Sequence, residues 1–312
     1  MKNNVGTLSR EKFEVLSAIY EEFKSFYDNL LSEKKGLSRE MISSILNEFQ
    51  ANAWVDSDGI TEKGLEQLEP YKVQRVIIMA AGFGSRLVPV TLNTPKPLVR
   101  VNGKRMIDTL LDAINDAGIE EIIIIRGYLS EQFDQLLYKY PNIKFIENPM
   151  YNQANNISSI MCARYLLKNA YVMEADLLLS NPKLIKKYQY TSNFLGIPVE
   201  SSDDWCFIVK NGEIRLQVTN GSEYADKLNK DESLYQEVGI SYWDEEAGYK
   251  LAYHMKEVFD RENGKSRYWD QVPLVDFKNE YRVEIRECKK TDIVEIDSFR
   301  ELVEIDEKYS LT

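Results

Sequence analysis

The sequence predicts an α/β domain with a mixed, mainly parallel sheet, preceded by a small helical domain. Three observations carry this. The texture changes near Val73, from amphipathic helical patterns to short β-branched runs alternating with helices. Ile122-Ile123-Ile124-Ile125 is an unbroken apolar run, as in strands covered on both faces. A glycine-rich turn follows directly on the first such run, Val76-Ile77-Ile78-Met79. The expected domains are residues 1–72 and 73–312.

In the first domain, Leu8, Phe13, Leu16, Ile19 and Phe23 recur at helical spacing behind Ser9, a suitable N-cap. Met41, Ile42, Ile45, Leu46 and Phe49 repeat the pattern behind Ser38. Trp54-Val55, a turn at Asp56 to Gly59, and a helix opening at Ile60-Thr61-Glu62 complete it. Helices, a small wing and a last helix resemble a winged helix-turn-helix domain.

In the second domain, Met106 to Ala117 is an amphipathic helix closed by Gly118. Ser130 is expected to cap a helix through Leu137, and Ile143 to Ile146 to form a strand. Ala170 to Met173 is a strand that delivers Glu174-Ala175-Asp176. Trp205 to Val209 and Glu213 to Val218, joined by Asn211-Gly212, read as a hairpin. A strand at Glu237 to Trp243, a helix through Phe259, a strand at Tyr281 to Arg286 and a helix after Ser298 follow. This later half is the more antiparallel one.

Composition narrows the chemistry. The net charge of -11 disfavours a protein built to grip nucleic acid or an anionic membrane. No secretory leader pattern or apolar run of membrane-spanning length is present, and the three cysteines lack framework spacing, so a cytoplasmic protein is expected. The single histidine, His254, sits in a helical pattern and reads as a surface residue. Catalysis must then run on carboxylates, Lys, Arg, backbone amides or a metal.

The decisive block is Ala80-Ala81-Gly82-Phe83-Gly84-Ser85-Arg86, followed by Thr94-Pro95-Lys96-Pro97-Leu98-Val99. Glycines after a buried strand let backbone N–H groups close around phosphate oxygens. A dinucleotide fingerprint would need glycine where Leu87 stands, and Gly103-Lys104 lacks the rest of a Walker A loop. The pattern A-A-G-x-G-S-R, then K-P-x-x-x-V, resembles the signature of nucleotidyltransferases with the sugar-nucleotide pyrophosphorylase fold, across residues 73–312. The resemblance implies a Rossmann-like nucleotidyltransferase fold. It implies that the Ala80 to Ser85 loop holds the nucleotide, that Arg86 clamps the triphosphate, and that Lys96 neutralises the attacked α-phosphate. It also implies a magnesium ion held by Asp176 and a second carboxylate, with Asp297 preferred and Asp270 the alternative.

Within that family the chain is similar to bacterial CTP:phosphocholine cytidylyltransferases at Tyr151 to Ser158, at Trp205, at Gly239 to Asp244 and at Tyr268-Trp269-Asp270. A quaternary ammonium is recognised by aromatic faces with a carboxylate nearby. Trp205, Tyr242, Trp243, Tyr268, Trp269 and Asp270 are therefore the expected acceptor-binding residues, although tryptophans on strands are commonly core. Asn156 and Ser158 are expected beside the nucleotide. The expected substrates are CTP and phosphocholine. The alternatives are phosphoethanolamine, 2-aminoethylphosphonate or a sugar 1-phosphate as acceptor, and a DNA-binding regulator with a nucleotide-sensing domain. The last is disfavoured by charge, since residues 1–70 hold eight Lys or Arg against thirteen Asp or Glu. A homo-oligomer is possible on this reading.

Overall fold

A computed structural model describes residues 7–29 and 37–311; the side chains of 23–29 and 311, Phe23 among them, lie outside the described residues. The chain divides into two compact units, one of Met1–Lys72 with Tyr188–Tyr190 and one of Val73–Lys187 with Thr191–Thr312.

In the first unit, α1 (Arg10–Asn29) buries Phe13, Leu16 and Ile19 and is kinked at Glu22, whose backbone leaves the helical region. Ser38 caps α2 (Arg39–Ala51), accepting from the Met41 amide at 3.2 Å. Ile42, Ile45 and Phe49 are buried, whereas Met41 of the expected stripe is 45% exposed. A minimal hairpin, β1 (Val55–Asp56) with β2 (Gly59–Ile60), leads to α3 (Glu62–Leu68), which Thr61 caps. The rings of Phe13, Tyr71 and Tyr190 pack at 4.8–5.6 Å in the core of this unit.

The second unit opens with β3 (Arg75–Ala80). A small ribbon, β4 (Arg100–Val101) with β5 (Lys104–Arg105), precedes α4 (Met106–Asp116), after which Gly118 takes φ +70°. Then come β6 (Glu121–Arg126), β7 (Ile143–Glu147), α5 (Ile157–Ala163), β8 (Ala170–Glu174) and β9 (Leu177–Leu179). The later half holds β10 (Asn193–Val199), β11 (Cys206–Lys210), β12 (Glu213–Val218), α6 (Ser222–Ala225) and the long β13 (Glu232–Trp243). It ends with α7 (Glu245–Asp260), β14 (Glu284–Glu287), β15 (Ile293–Glu295) and α8 (Phe299–Ile305).

Nine strands form one mixed sheet in the order β10-β14-β12-β11-β13-β8-β3-β6-β7. The β8-β3-β6-β7 half is parallel, and β11, β12 and β13 pair antiparallel. Alternation divides the core. Val76, Ile78, Ile122 and Ile124 pack with Leu110 and Ile114 of α4, while Ile77, Ile123 and Ile125 pack with Ile160 of α5 and Leu251 of α7. Both faces of these strands are covered, which is why their apolar runs are unbroken.

The segment expected as a Ser130-capped α-helix is a 3₁₀ helix, Ser130–Tyr138. The chain enters it through Leu129 at φ 46°, and an N-cap needs extended backbone at that point. His254 packs face-on against Phe277 at 3.8 Å and its Nδ1 lies 2.7 Å from the Tyr281 hydroxyl, so it is a half-buried packing residue. No helix among the described residues is long and apolar enough to cross a membrane.

Candidate active site

β3 and β8 run parallel, so their C-terminal ends open on one side of the sheet, where open α/β sheets bind ligands. A cavity of about 1090 Å³ lies there. The loop after β3 forms one wall, through Ala80, Ala81, Gly82, Gly84, Ser85 and Arg86. Gly84 has φ +68°, and a Cβ on it would stand 3.0 Å from that of Lys96. Its glycine therefore serves the left-handed backbone and the close approach of Lys96. Gly82 differs, because an added Cβ would meet nothing within 4 Å. No neighbour forbids a side chain there, and its bareness leaves space at the cavity wall for a ligand to reach the backbone. Phe83 is not on the wall; its ring turns edge-on to Tyr128 at 4.6 Å.

Lys96 occupies a short 3₁₀ turn, Lys96–Leu98, pinned by the buried Leu98 and Val99. Its ammonium donates to Asp176 Oδ2 at 2.5 Å and to Asp297 Oδ1 at 3.1 Å, and Arg86 reaches the same Asp297 oxygen at 2.7 Å. Burial works against the charge on Lys96, but Asp176 and Asp297 outweigh it and hold the ammonium above its ordinary pKa. Asp176 and Asp297 are far apart in the chain. The antiparallel pairing of β9 with β15, Leu177 opposite Glu295, carries one to the other. A capping box on α8 then fixes Asp297: Glu301 accepts from the Asp297 and Ser298 amides at 2.7 and 2.8 Å, and Ser298 accepts from Glu301. Ser298→Ala should cost about 1 kcal/mol of stability, read from urea unfolding. An unchanged midpoint would show that the box contributes nothing.

Glu174, Asp176 and Glu295 each bring an oxygen to within 4.8 Å of the other two. An all-oxygen, carboxylate donor set of this size suits a hard divalent cation such as magnesium. The expected second ligand, Asp297, lies outside that trio and shares Lys96 with Asp176 instead. Glu174 and Glu295 are not among the ligands expected from the sequence, although each stands two residues before an expected aspartate ligand. On extended chain, residues i and i+2 face the same way, and that is the signal that could have found them. Burial pushes the Glu174 carboxyl well above the ordinary range, and Asp176, Glu295 and Asp270 add to the effect. Gly239, at φ +61°, leaves the room Glu174 needs, since a Cβ there would come within 2.8 Å of Glu174 Oε2.

The cavity is also lined by Asp203, Asp204, Trp205, Glu237, Tyr268 and Asp270. Trp205 and Tyr268 meet at 4.9 Å between ring centres. Beside them the buried Gln217 amide donates to Glu237 Oε2 at 2.7 Å and to Asp270 Oδ2 at 2.5 Å. Gln217 Oε1 has no partner among the described residues, so the amide serves the two acids at its own oxygen's expense. Burial raises the pKa of Glu237 and of Asp270, and Asp270 raises that of Glu237 further. Neither acid is paired with a Lys or Arg among the described residues. Three segments supply this group, and no local pattern announces Gln217 or Glu237.

Three expected acceptor residues do not reach the cavity. Trp243 is fully buried, donates to Ser241 Oγ at 2.9 Å and packs on Phe194. Tyr242 lies in the core of the opposite face against Tyr171. β13 runs antiparallel to β8, so Trp243 pairs with Ala170, at the end of β8 away from Glu174. Six residues, roughly 20 Å of strand, separate it from Glu237. Trp269 is also core, stacked on Phe194 at 6.0 Å. Asn156 and Ser158 do line the cavity, but hold the framework: Asn156 Oδ1 accepts from the Trp269 amide, and Ser158 accepts from Asn148 and donates to the Asn155 carbonyl.

Known proteins resemble this chain in sequence and in fold. Residues 75–214 match the family described as nucleotidyl transferase. A 2-aminoethylphosphonate cytidylyltransferase of Lancefieldella rimae is 33% identical over 236 residues, covering 75% of this chain and 92% of the relative. A choline-phosphate cytidylyltransferase of Streptococcus pneumoniae is 31% identical over 233 residues, covering 75% and 97%. The solved structure of the CTP:phosphocholine cytidylyltransferase from Streptococcus pneumoniae superposes with a TM-score of 0.67 at 29% identity, covering 75% of this chain and 98% of that one.

Proposed function

Because the chain belongs to the nucleotidyl transferase family, among its cytidylyltransferases, we propose that it transfers CMP from CTP to phosphocholine, giving CDP-choline and pyrophosphate. The observation that carries the acceptor reading is the seat formed by Glu237, Gln217 and Asp270 beside Trp205 and Tyr268. Two deep carboxylates without a basic partner call for a cation, and aromatic faces suit one that has no N–H to donate.

The chemistry then needs no protein base. The acceptor phosphate has its second pKa near about 6 and is largely a dianion at neutral pH. One of its oxygens attacks the α-phosphorus of CTP in line; the bond to the bridging oxygen breaks, and pyrophosphate departs with the electron pair. The Ala81 to Ser85 backbone and Arg86 hold the triphosphate, and Lys96 neutralises charge at the α-phosphate. Asp176 with Glu174 and Glu295, or with Asp297, would hold magnesium, whose positive charge makes the phosphorus more electrophilic when bound. Positioning and charge neutralisation are the whole task.

A second reading keeps the reaction and takes 2-aminoethylphosphonate or phosphoethanolamine, because Glu237 and Asp270 can accept N–H bonds from a primary ammonium. Trp205→Ala separates the two. A cation desolvated over an aromatic face is worth about 2 kcal/mol or more, so kcat/KM for phosphocholine should fall roughly tenfold or more. The value for phosphoethanolamine should fall much less. Equal losses on both acceptors would remove the aromatic argument. Tyr268→Ala should act in the same direction. For residues 1–72 the winged-helix reading rests on the order of helices and hairpin alone, and the acidic balance of this stretch of sequence gives a DNA partner no support.

A further inference from the structure

The cavity wall carries ten Asp and Glu side chains and only three Lys or Arg: Arg86, Lys96 and Lys290. Arg86 and Lys96 are both held by carboxylates, Asp297 and Asp176. Lys290 makes no ion pair among the described residues. An acceptor whose reacting end is a phosphate dianion must enter this acidic space and needs a cation to receive it. We propose that Lys290 is that cation, the residue that binds the acceptor's phosphate, an inference that rests on the phosphorylated-acceptor reading above.

The backbone around Lys290 is built to hold its position. It stands at the tip of the turn between β14 and β15, just before the segment that delivers Glu295 and Asp297. Cys288, buried, donates its amide to the Gly196 carbonyl at 3.0 Å. Across the turn, the Lys289 amide donates to Asp292 Oδ2 and the Asp292 amide to the Lys289 carbonyl, both at 2.9 Å. The Asp292 carbonyl accepts from the Ser180 and Asn181 amides at 2.8 and 3.0 Å, and Asn181 also donates to Asp292 Oδ1 at 3.1 Å. A turn tied on both sides presents Lys290 at little conformational cost to the backbone. Lys289, its neighbour, is not on the cavity wall. Ile197 and Val238, from β10 and β13, line the same cavity, and so does Glu237 of the proposed ammonium seat. Lys290 and Glu237 thus share one cavity wall, a cation for the phosphate end of the acceptor and a carboxylate for its ammonium end.

The test uses the full chain as wild type, Lys290→Ala and Lys290→Arg, with KM measured separately for CTP and phosphocholine. Choline, which has the ammonium and lacks the phosphate, serves as a dead-end inhibitor against phosphocholine. In Lys290→Ala, KM for phosphocholine should rise about tenfold or more, the loss of one charge-assisted contact. KM for CTP and the inhibition constant of choline should stay within about twofold, and Lys290→Arg should recover most of the loss. An unchanged phosphocholine KM overturns the proposal. Equal increases for CTP and phosphocholine also overturn it, because they would put Lys290 on the nucleotide. So does an equal weakening of choline, which would mark a diffuse electrostatic effect. A wild type that prefers 2-aminoethylphosphonate would sink the phosphocholine reading only. The comparison then runs with that acceptor and with ethylamine in place of choline, and the same outcomes decide on Lys290.

Discussion

Lys96→Met should lower kcat by a factor on the order of 10²–10³, the range found when a fixed group facing developing charge is removed from a water-poor site. The expectation follows from how Lys96 is held. Only 7% of it is exposed, its turn is closed by buried Leu98 and Val99, and its ammonium sits between Asp176 and Asp297. A cation fixed in this way needs little reorganisation when charge builds on the α-phosphate. Methionine keeps the stem of the side chain out to the ε position and deletes the ammonium, so packing around Gly84 and Thr91 is preserved. It also leaves two carboxylates without their shared partner, and a lower melting temperature is expected alongside the kinetic loss. The two effects are separated by measuring kcat well below the melting transition, with circular dichroism as the check on folding. A folded variant that kept more than about a tenth of the wild-type kcat, a barrier change under roughly 1.4 kcal/mol, would show that Lys96 acts elsewhere.

Asp176→Asn should be comparably severe and should differ in its metal response. The amide matches the carboxylate in shape but removes the charge that both Lys96 and a divalent cation would use. Loss of a metal's charge stabilisation is worth several kcal/mol, again a factor on the order of 10²–10³ in kcat. The magnesium concentration for half-maximal activity should rise in the variant, and magnesium should stabilise it less against heat than it stabilises the wild type. Both shifts should be larger in Asp176→Asn than in Asp297→Asn, because Asp176 belongs to the Glu174, Asp176, Glu295 group and Asp297 does not. Identical magnesium curves for wild type and Asp176→Asn would exclude Asp176 as a ligand.

The parts of this protein that could be read from its sequence are those determined locally. Val76 to Met79 and Ile122 to Ile125 announce covered strands because both of their faces are apolar. Ser38 and Ser298 announce helix starts because capping is a short-range hydrogen bond. The glycines at 82 and 84 and the lysine at 96 are likewise carried by one ordered block. What stayed hidden depends on strand direction and on partners distant in the chain. Trp243 looked like an acceptor residue because it neighbours Asp244, yet the antiparallel course of β13 carries it to the far end of β8. Asp244 is itself spent on capping α7 and on Ser192. Gln217 lies on a hairpin strand, Glu237 in the middle of β13 and Asp270 in a loop, and only the folded sheet brings them together. The aromatic pair that does line the cavity, Trp205 with Tyr268, joins two loops more than sixty residues apart.

The central claim is that an ammonium-bearing phosphorylated acceptor receives CMP in this cavity. Pyrophosphate release tests it most directly, measured with magnesium across CTP, UTP, dTTP, GTP and ATP, each against phosphocholine, phosphoethanolamine, 2-aminoethylphosphonate and glucose 1-phosphate. The account predicts release with CTP, highest for phosphocholine and absent for glucose 1-phosphate. Release with UTP or dTTP and glucose 1-phosphate, with none for CTP and any of the three amines, would contradict it.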